Sequence, residues 1–221
     1  MKILLVAATK LEIEPLQQYL TERMYLRKQQ QIDVLLTGVG SLATVYALTK
    51  EFSRQKPDIA IQVGIAGSFH PLFTPGKIVM IKEEIIGDLG VMHQDTWQSA
   101  FDLGLIGEDH HPWKKGKLIN PNIELLGKLD HEKVKAITVN RISTEENFIN
   151  QIKEKFSPIV ESMEGAAFHY VCLKEDIPFL QIRSVSNMVG ERDKSTWLLK
   201  ESIDLLNDEL IRLLHNLTES Y

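Results

Sequence analysis

The chain has 221 residues, 43% hydrophobic and 25% charged, the balance of an ordinary soluble domain able to bury one large core. Its 25 Lys and Arg against 30 Asp and Glu leave a net charge of −5, so no basic surface for nucleic acid is indicated. A single cysteine, Cys172, excludes an internal disulfide and fits a cytoplasmic protein.

The first apolar run, 2–8, is too short for a membrane span and meets Lys10-Leu11-Glu12-Ile13-Glu14 in place of a small-residue cleavage site. It reads as a core strand, with neither signal peptide nor membrane partner. A helical pattern follows near 10–24, then a strand at 32–37, a helix near 41–55, and strands at 58–64 and 77–82. Residues 87–121 hold five glycines and the pair His110-His111, and read as a long excursion over the sheet. A loop of that length is more often functional than idle. The histidines lack the spacing of a metal site, so no metal is expected. Further strands are predicted at 134–139 and 177–186, and helices near 144–155 and 164–175. Ser143-Thr144-Glu145-Glu146 matches a capping box and predicts a helix start at about 144. The last helix carries Leu199, Ile203, Leu206, Leu210, Leu213 and Leu217 at steps of three and four. Cys172 sits in an apolar helical pattern with no evident base nearby, and reads as buried filler. Alternating strands and helices predict an α/β fold, one domain over 1–221, with a central mixed sheet flanked by helices.

Four segments could meet at one site. Glu12 follows the first strand, as a catalytic carboxylate or a solvated one in a helix's first turn. Two glycine turns, Thr37-Gly38-Val39-Gly40-Ser41 and Gly64-Ile65-Ala66-Gly67-Ser68, match neither the dinucleotide fingerprint nor the P-loop. Met163-Glu164-Gly165-Ala166-Ala167 sets a carboxylate before three small residues that let a helix pack closely. Such a carboxylate can accept two hydrogen bonds from a vicinal diol, or merely begin a helix. Finally, the apolar 177–182 run turns polar at Ser186-Asn187, with Glu191, Arg192 and Asp193 after it; Asp193 could cap the last helix.

In this order the segments resemble the purine nucleoside phosphorylase and nucleosidase superfamily, most clearly at 1–14, 37–48, 61–81 and 142–190. Met163-Glu164-Gly165-Ala166-Ala167-Phe168-His169, Ser186-Asn187-x-Val189-Gly190-x-Arg192-Asp193-x-x-x-Trp197, Gly87-Asp88-Leu89-Gly90 and Phe101-Asp102-Leu103-Gly104-Leu105 are similar to its futalosine hydrolase branch. The resemblance implies a nucleoside phosphorylase-like fold, no cofactor, a nucleoside substrate with water, and a homo-oligomer. It implies N-glycosidic cleavage through an oxocarbenium-like ribosyl cation, with Glu12 as general base toward water and Glu164 on the ribose hydroxyls beside Met163. Ala66, Gly67, Phe148 and Asn187 would bind the base, Phe148 by stacking. Asn187 stands where adenine-specific relatives carry Asp, and Ile65 where they carry Ser. An amide NH₂ suits the two acceptors of a 6-oxopurine edge, O6 and N7. Arg192 is a candidate for a substrate carboxylate, or an anchor of its own turn. Phosphorolysis would need arginines at the nucleophile turn; Gln62 leads into the second turn and the first arginine is Arg23, so hydrolysis is expected.

Overall fold

The computed structural model describes residues 1–23, 31–191, 193, 195 and 197–218. Its strands are β1 (Lys2–Ala7), β2 (Gln31–Leu36), β3 (Ile59–Ser68), β4 (Ile78–Ile86), β5 (Gly90–His93), β6 (Thr96–Ser99), β7 (Leu118–Ile119), β8 (Lys133–Thr138), β9 (Val160–Ser162) and β10 (Phe179–Met188). The helices are α1 (Glu14–Arg23), α2 (Ser41–Arg54), α3 (Ile123–Leu126), α4 (Glu146–Phe156), α5 (Gly165–Lys174) and α6 (Leu199–Thr218). Every strand and helix expected from the pattern is present, close to its predicted bounds.

β1 shows why the sheet lies between two helical layers. Ile3, Leu5 and Ala7 face one way and meet Ile13 and Leu16 near α1 and Leu206, Leu210 and Leu213 of α6. Leu4 and Val6 point oppositely and meet Leu48 and Phe52 of α2 and Phe168 and Val171 of α5. Cys172 packs in that second layer, and burial pushes its thiol pKa up, as befits filler.

The sheet is mixed, in the order β10-β4-β8-β9-β3-β1-β2, with a further parallel pairing of β10 to β3. That pairing closes β3, β9, β8, β4 and β10 into a ring, whose interior holds Ala66, Val79, Ile81, Ala136, Val160 and Val185. β1 and β2 extend from β3 as an open wing. Because β1, β3 and β10 run parallel, their carboxyl ends share one rim, the usual ligand end of such sheets.

Two local expectations change. Gly64-Ile65-Ala66-Gly67-Ser68 is no turn: β3 continues through Ser68, held by β10 on one side and β9 on the other. The capping box does not form, because the Ser143 hydroxyl and N–H both donate to Glu161; α4 starts at Glu146 with no side-chain cap. Asp193 accepts the N–H and the hydroxyl of Ser195. The 87–121 excursion contains the β5–β6 hairpin and β7, which pairs with β4. Among the described residues, no helix is long and apolar enough to cross a membrane.

The three small residues after Glu164 bring α5 down onto buried polar groups. A Cβ on Gly165 would stand 1.7 Å from Glu84 Oε1 and 2.4 Å from Gln181 Nε2. Gly165→Ala is therefore expected to destabilise the fold by about 1–3 kcal/mol, as overpacking does. Urea unfolding checks this, and an unchanged midpoint would refute the close contact.

Candidate active site

A cavity of about 330 Å³ opens at the shared strand rim, and Glu12, Ala66, Gly67, Met163, Glu164 and Asn187 all line it. Ligand pockets begin at about this size. Phe148, expected to stack on a base, is absent from the lining: it is buried edge-on against Trp97, their centroids 5.6 Å apart, in a cluster with Phe69 and Ile152. The apolar face of α4 takes it into the core. Arg192 lies outside the described residues.

Glu12 is only 7% exposed and fixed from several sides. Thr9 gives its N–H and hydroxyl to Oε2, each at 3.0 Å, and the Ile65 N–H reaches Oε1 at 3.2 Å. Behind it, the Asn207 amide of α6 donates to the Glu12 carbonyl at 3.0 Å and accepts the Leu16 N–H at 3.1 Å. This is a preorganised acceptor aimed into a cavity, not a solvated helix-start charge.

Glu164 precedes α5 but does not cap it. Its Oε1 accepts the Gly40 N–H at 3.0 Å, available because Gly40 adopts φ 93°. Its Oε2 lies 3.8 Å from Arg183 Nη2, leaving acceptor capacity toward the cavity that Met163 also lines. The first glycine turn thus serves Glu164.

Asn187 owes its position to a register shift between Val185 and Asn187, where β10 slips one residue against β3. Bulges of this kind re-aim side chains beside functional sites. Ser186 Oγ donates to Asn187 Oδ1 at 2.8 Å, and Nδ2 donates to the Met188 carbonyl at 3.0 Å. A carbonyl can only accept, which sets the amide's orientation. One of the two amide hydrogens is therefore committed, leaving one to a ligand instead of the expected pair. Gly67 keeps the space beside it open, since a Cβ there would stand 3.3 Å from Nδ2.

Sequence reading missed Arg183. It lies in β10, 1% exposed, and Nη2 donates to Gln62 Oε1 at 3.1 Å. Its register partner is Gly64, where a Cβ would stand 2.3 Å from Arg183 Nη1 and 2.7 Å from Glu12 Oε1. The guanidinium thus occupies the space a side chain at 64 would fill, close to Glu12 and Glu164 together. The signals were an arginine inside an apolar strand and a glycine inside another. An arginine therefore stands near the nucleophile site after all, against the expectation from Gln62 and Arg23. It lies 3.8 Å from Glu164 with Glu12 close by, so its charge is partly met already and offers less net attraction to phosphate.

A buried carboxylate acceptor, a second carboxylate with free acceptor capacity and an amide donor thus share one cavity. Residues 2–219 match the family model described as the Phosphorylase superfamily. The chain belongs to that superfamily. Futalosine hydrolase of Thermus thermophilus is 28% identical over 182 residues, covering 81% of this chain and 80% of the relative. The 5'-methylthioadenosine/S-adenosylhomocysteine nucleosidase of Tolumonas auensis is 29% identical over 174 residues, covering 75% and 73%. The solved structure of futalosine hydrolase from Helicobacter pylori superposes with a TM-score of 0.79 at 15% identity, covering 97% of each chain. That likeness concerns the fold, and the superfamily's mixed sheet between helices is the architecture found.

Arg183→Met removes the cation facing two buried carboxylates. It is expected to cost about 3–5 kcal/mol, the range for breaking a buried ion pair from one side. Urea denaturation at neutral pH measures it; a loss below about 1 kcal/mol would mean Arg183 does not compensate them.

Proposed function

We propose that this protein hydrolyses the N-glycosidic bond of a purine nucleoside, and that its substrate is futalosine, cleaved to hypoxanthine and dehypoxanthine futalosine. The observation that carries the reading is the set of Glu12, Glu164 and Asn187 on one cavity, each side chain held by its own hydrogen bonds. Relatives named futalosine hydrolase and methylthioadenosine/S-adenosylhomocysteine nucleosidase support the reaction class.

In the mechanism, Glu164 receives the ribose hydroxyls on its free acceptor sites while Met163 packs against the sugar. As the glycosidic bond stretches, positive charge grows on the ribosyl ring, and the buried carboxylates of Glu12 and Glu164 stabilise it. Glu12 accepts a proton from water and directs the oxygen to the anomeric carbon. Ile65, with no hydroxyl of its own, contributes only its N–H to Glu12. Arg183 lies 3.8 Å from Glu164 and backs the two carboxylates with positive charge. Asn187 stabilises the departing base with its remaining N–H. It has no proton to release, so solvent must finally protonate the base.

Base choice follows from the pinned amide. A 6-oxopurine presents two acceptors, O6 and N7, and the free N–H can serve either or bridge both. Adenine sets a 6-amino donor in place of O6, so the free N–H can serve N7 alone and the 6-amino group is left to the one Oδ1 lone pair that Ser186 does not take. The free N–H thus finds one more acceptor on hypoxanthine than on adenine, which is the basis for choosing hypoxanthine. The methylthioadenosine alternative rests on the relatives alone.

Incubation with futalosine, inosine and methylthioadenosine in phosphate-free buffer, followed by chromatography of the free base, tests this reading. Hypoxanthine released from futalosine is expected; release of adenine alone, or no release, would reject it. In Asn187→Asp, the carboxylate oxygen facing the Met188 carbonyl favours the protonated acid, whose single O–H passes from that carbonyl to N7 as the base leaves. The kcat/KM ratio of adenosine-type to inosine-type substrates should rise at least about tenfold. An unchanged ratio would remove Asn187 from base selection.

A further inference from the structure

Beneath the start of α5 lies a buried polar chain that the proposed mechanism does not use. Glu84 of β4 is fully buried; its Oε1 lies 2.8 Å from Gln181 Nε2, and its Oε2 accepts the Thr138 hydroxyl at 2.9 Å. Thr138 Oγ1 in turn accepts the Ala166 N–H at 2.7 Å, tying the first turn of α5 to Glu84. His169 of α5, also fully buried, lies beside Gln181, and its Nδ1 is 3.2 Å from the Leu118 carbonyl. A carbonyl cannot donate, so Nδ1 carries hydrogen. Two buried acceptor atoms then stand without partners: Gln181 Oε1 and, in the neutral ring, His169 Nε2. Orphaned buried polar atoms are costly and call for an explanation.

Both are satisfied by one added proton, in either of two arrangements. A proton on His169 Nε2 would be donated to Gln181 Oε1, with Glu84 ionised. Alternatively, the Gln181 amide turns over, its N–H donating to His169 Nε2 and its carbonyl accepting from a protonated Glu84. The surroundings decide between them. Arg183 of β10 is a fixed cation near both groups, and a second cation on His169 beside it is disfavoured. Burial holds the His169 pKa down to about 3 and pushes Glu84 up to about 7. The other groups around Glu84, Thr138 of β8 and the Leu118 backbone of β7, carry no charge. Glu83 is engaged elsewhere, by Lys117 at 3.1 Å.

We propose that Glu84, Gln181 and His169 form one proton-sharing chain, with the proton on Glu84 and the Gln181 carbonyl turned toward it. We infer that Glu84 is a positioning residue for the reaction: neutral, it leaves the Arg183 charge to Glu12 and Glu164 and fixes the helix start that carries Glu164. Ionised, it places a further anion beside Arg183 and weakens that arrangement. The catalytic part of this inference rests on the nucleosidase reading; the proton's location does not.

Glu84→Gln tests both parts, because a side-chain amide reproduces the neutral acid: its carbonyl accepts from Thr138 and its NH₂ donates to the turned Gln181. With futalosine, wild-type kcat should fall by up to about tenfold per pH unit above about pH 7 if no other group titrates there, while E84Q matches it near pH 6 and lacks the fall. Without substrate, isotope-edited infrared spectra near pH 6 should show a protonated glutamate carboxyl in the wild type that E84Q lacks. The folded pKa of Glu84 is raised, so its contribution to stability is complete below about 4.5 and lost as pH rises through about 7. E84Q should therefore gain in Tm relative to wild type across that window. Superimposable kinetic profiles would overturn the positioning role. Identical carboxyl spectra, a constant Tm difference, or an E84Q that fails to fold would overturn the neutral Glu84. An absence of futalosine cleavage with the spectral and Tm differences intact would count against the nucleosidase reading alone.

Discussion

A single buried cation organises the site. Arg183 leaves β10 inside the sheet, lies over a glycine on β3, and meets carboxylates that arrive from opposite ends of the sequence: Glu12 after β1 and Glu164 before α5. Burying one charge costs several kcal/mol, and burying two carboxylates without a cation would cost more. Each group is tolerable only because the others are present. Gly64 is part of this bargain, as any side chain there would displace both the guanidinium and Glu12. The pairing of β10 with β3 that closes the ring is also what sets arginine opposite glycine.

The same constraint bears on chemistry. A site that transfers ribose to phosphate must present uncompensated positive charge to a dianion. Here the arginine already faces Glu12 and Glu164, so neutral water is the better matched nucleophile. In the sequence no arginine neighbours Glu12 or Gln62, which by itself favoured hydrolysis. The proposal of hydrolysis rests instead on an arginine that is present and already lies beside Glu164.

Much of this was legible in the chain. Apolar runs marked the core strands and the leucine steps marked α6, because burial on both faces of a sheet leaves an unmistakable pattern. Glu12, Met163-Glu164 and Ser186-Asn187 could be picked out because polar residues directly after buried strands need a reason. What stayed hidden depended on partners distant in sequence. Ser143 looked like a helix cap until Glu161 took its hydroxyl. Gly64 looked like a turn because its neighbour Arg183 lies on another strand. Phe148 was assigned to the ligand, yet packing against Trp97 takes it into the core, which no local pattern reveals. Three-residue β9 is too short to carry a period, and the Met188 carbonyl that claims half of the Asn187 NH₂ appears only in three dimensions.

The most direct test of the central claim is a turnover of futalosine in ¹⁸O-labelled water containing ample phosphate, with the sugar product examined by mass spectrometry. If Arg183 is committed to Glu12 and Glu164 and water is the nucleophile, the heavy oxygen appears on the anomeric carbon and no sugar phosphate forms. Formation of the ribosyl phosphate, with unlabelled sugar, would show that the cation is free to bind phosphate and would contradict the account.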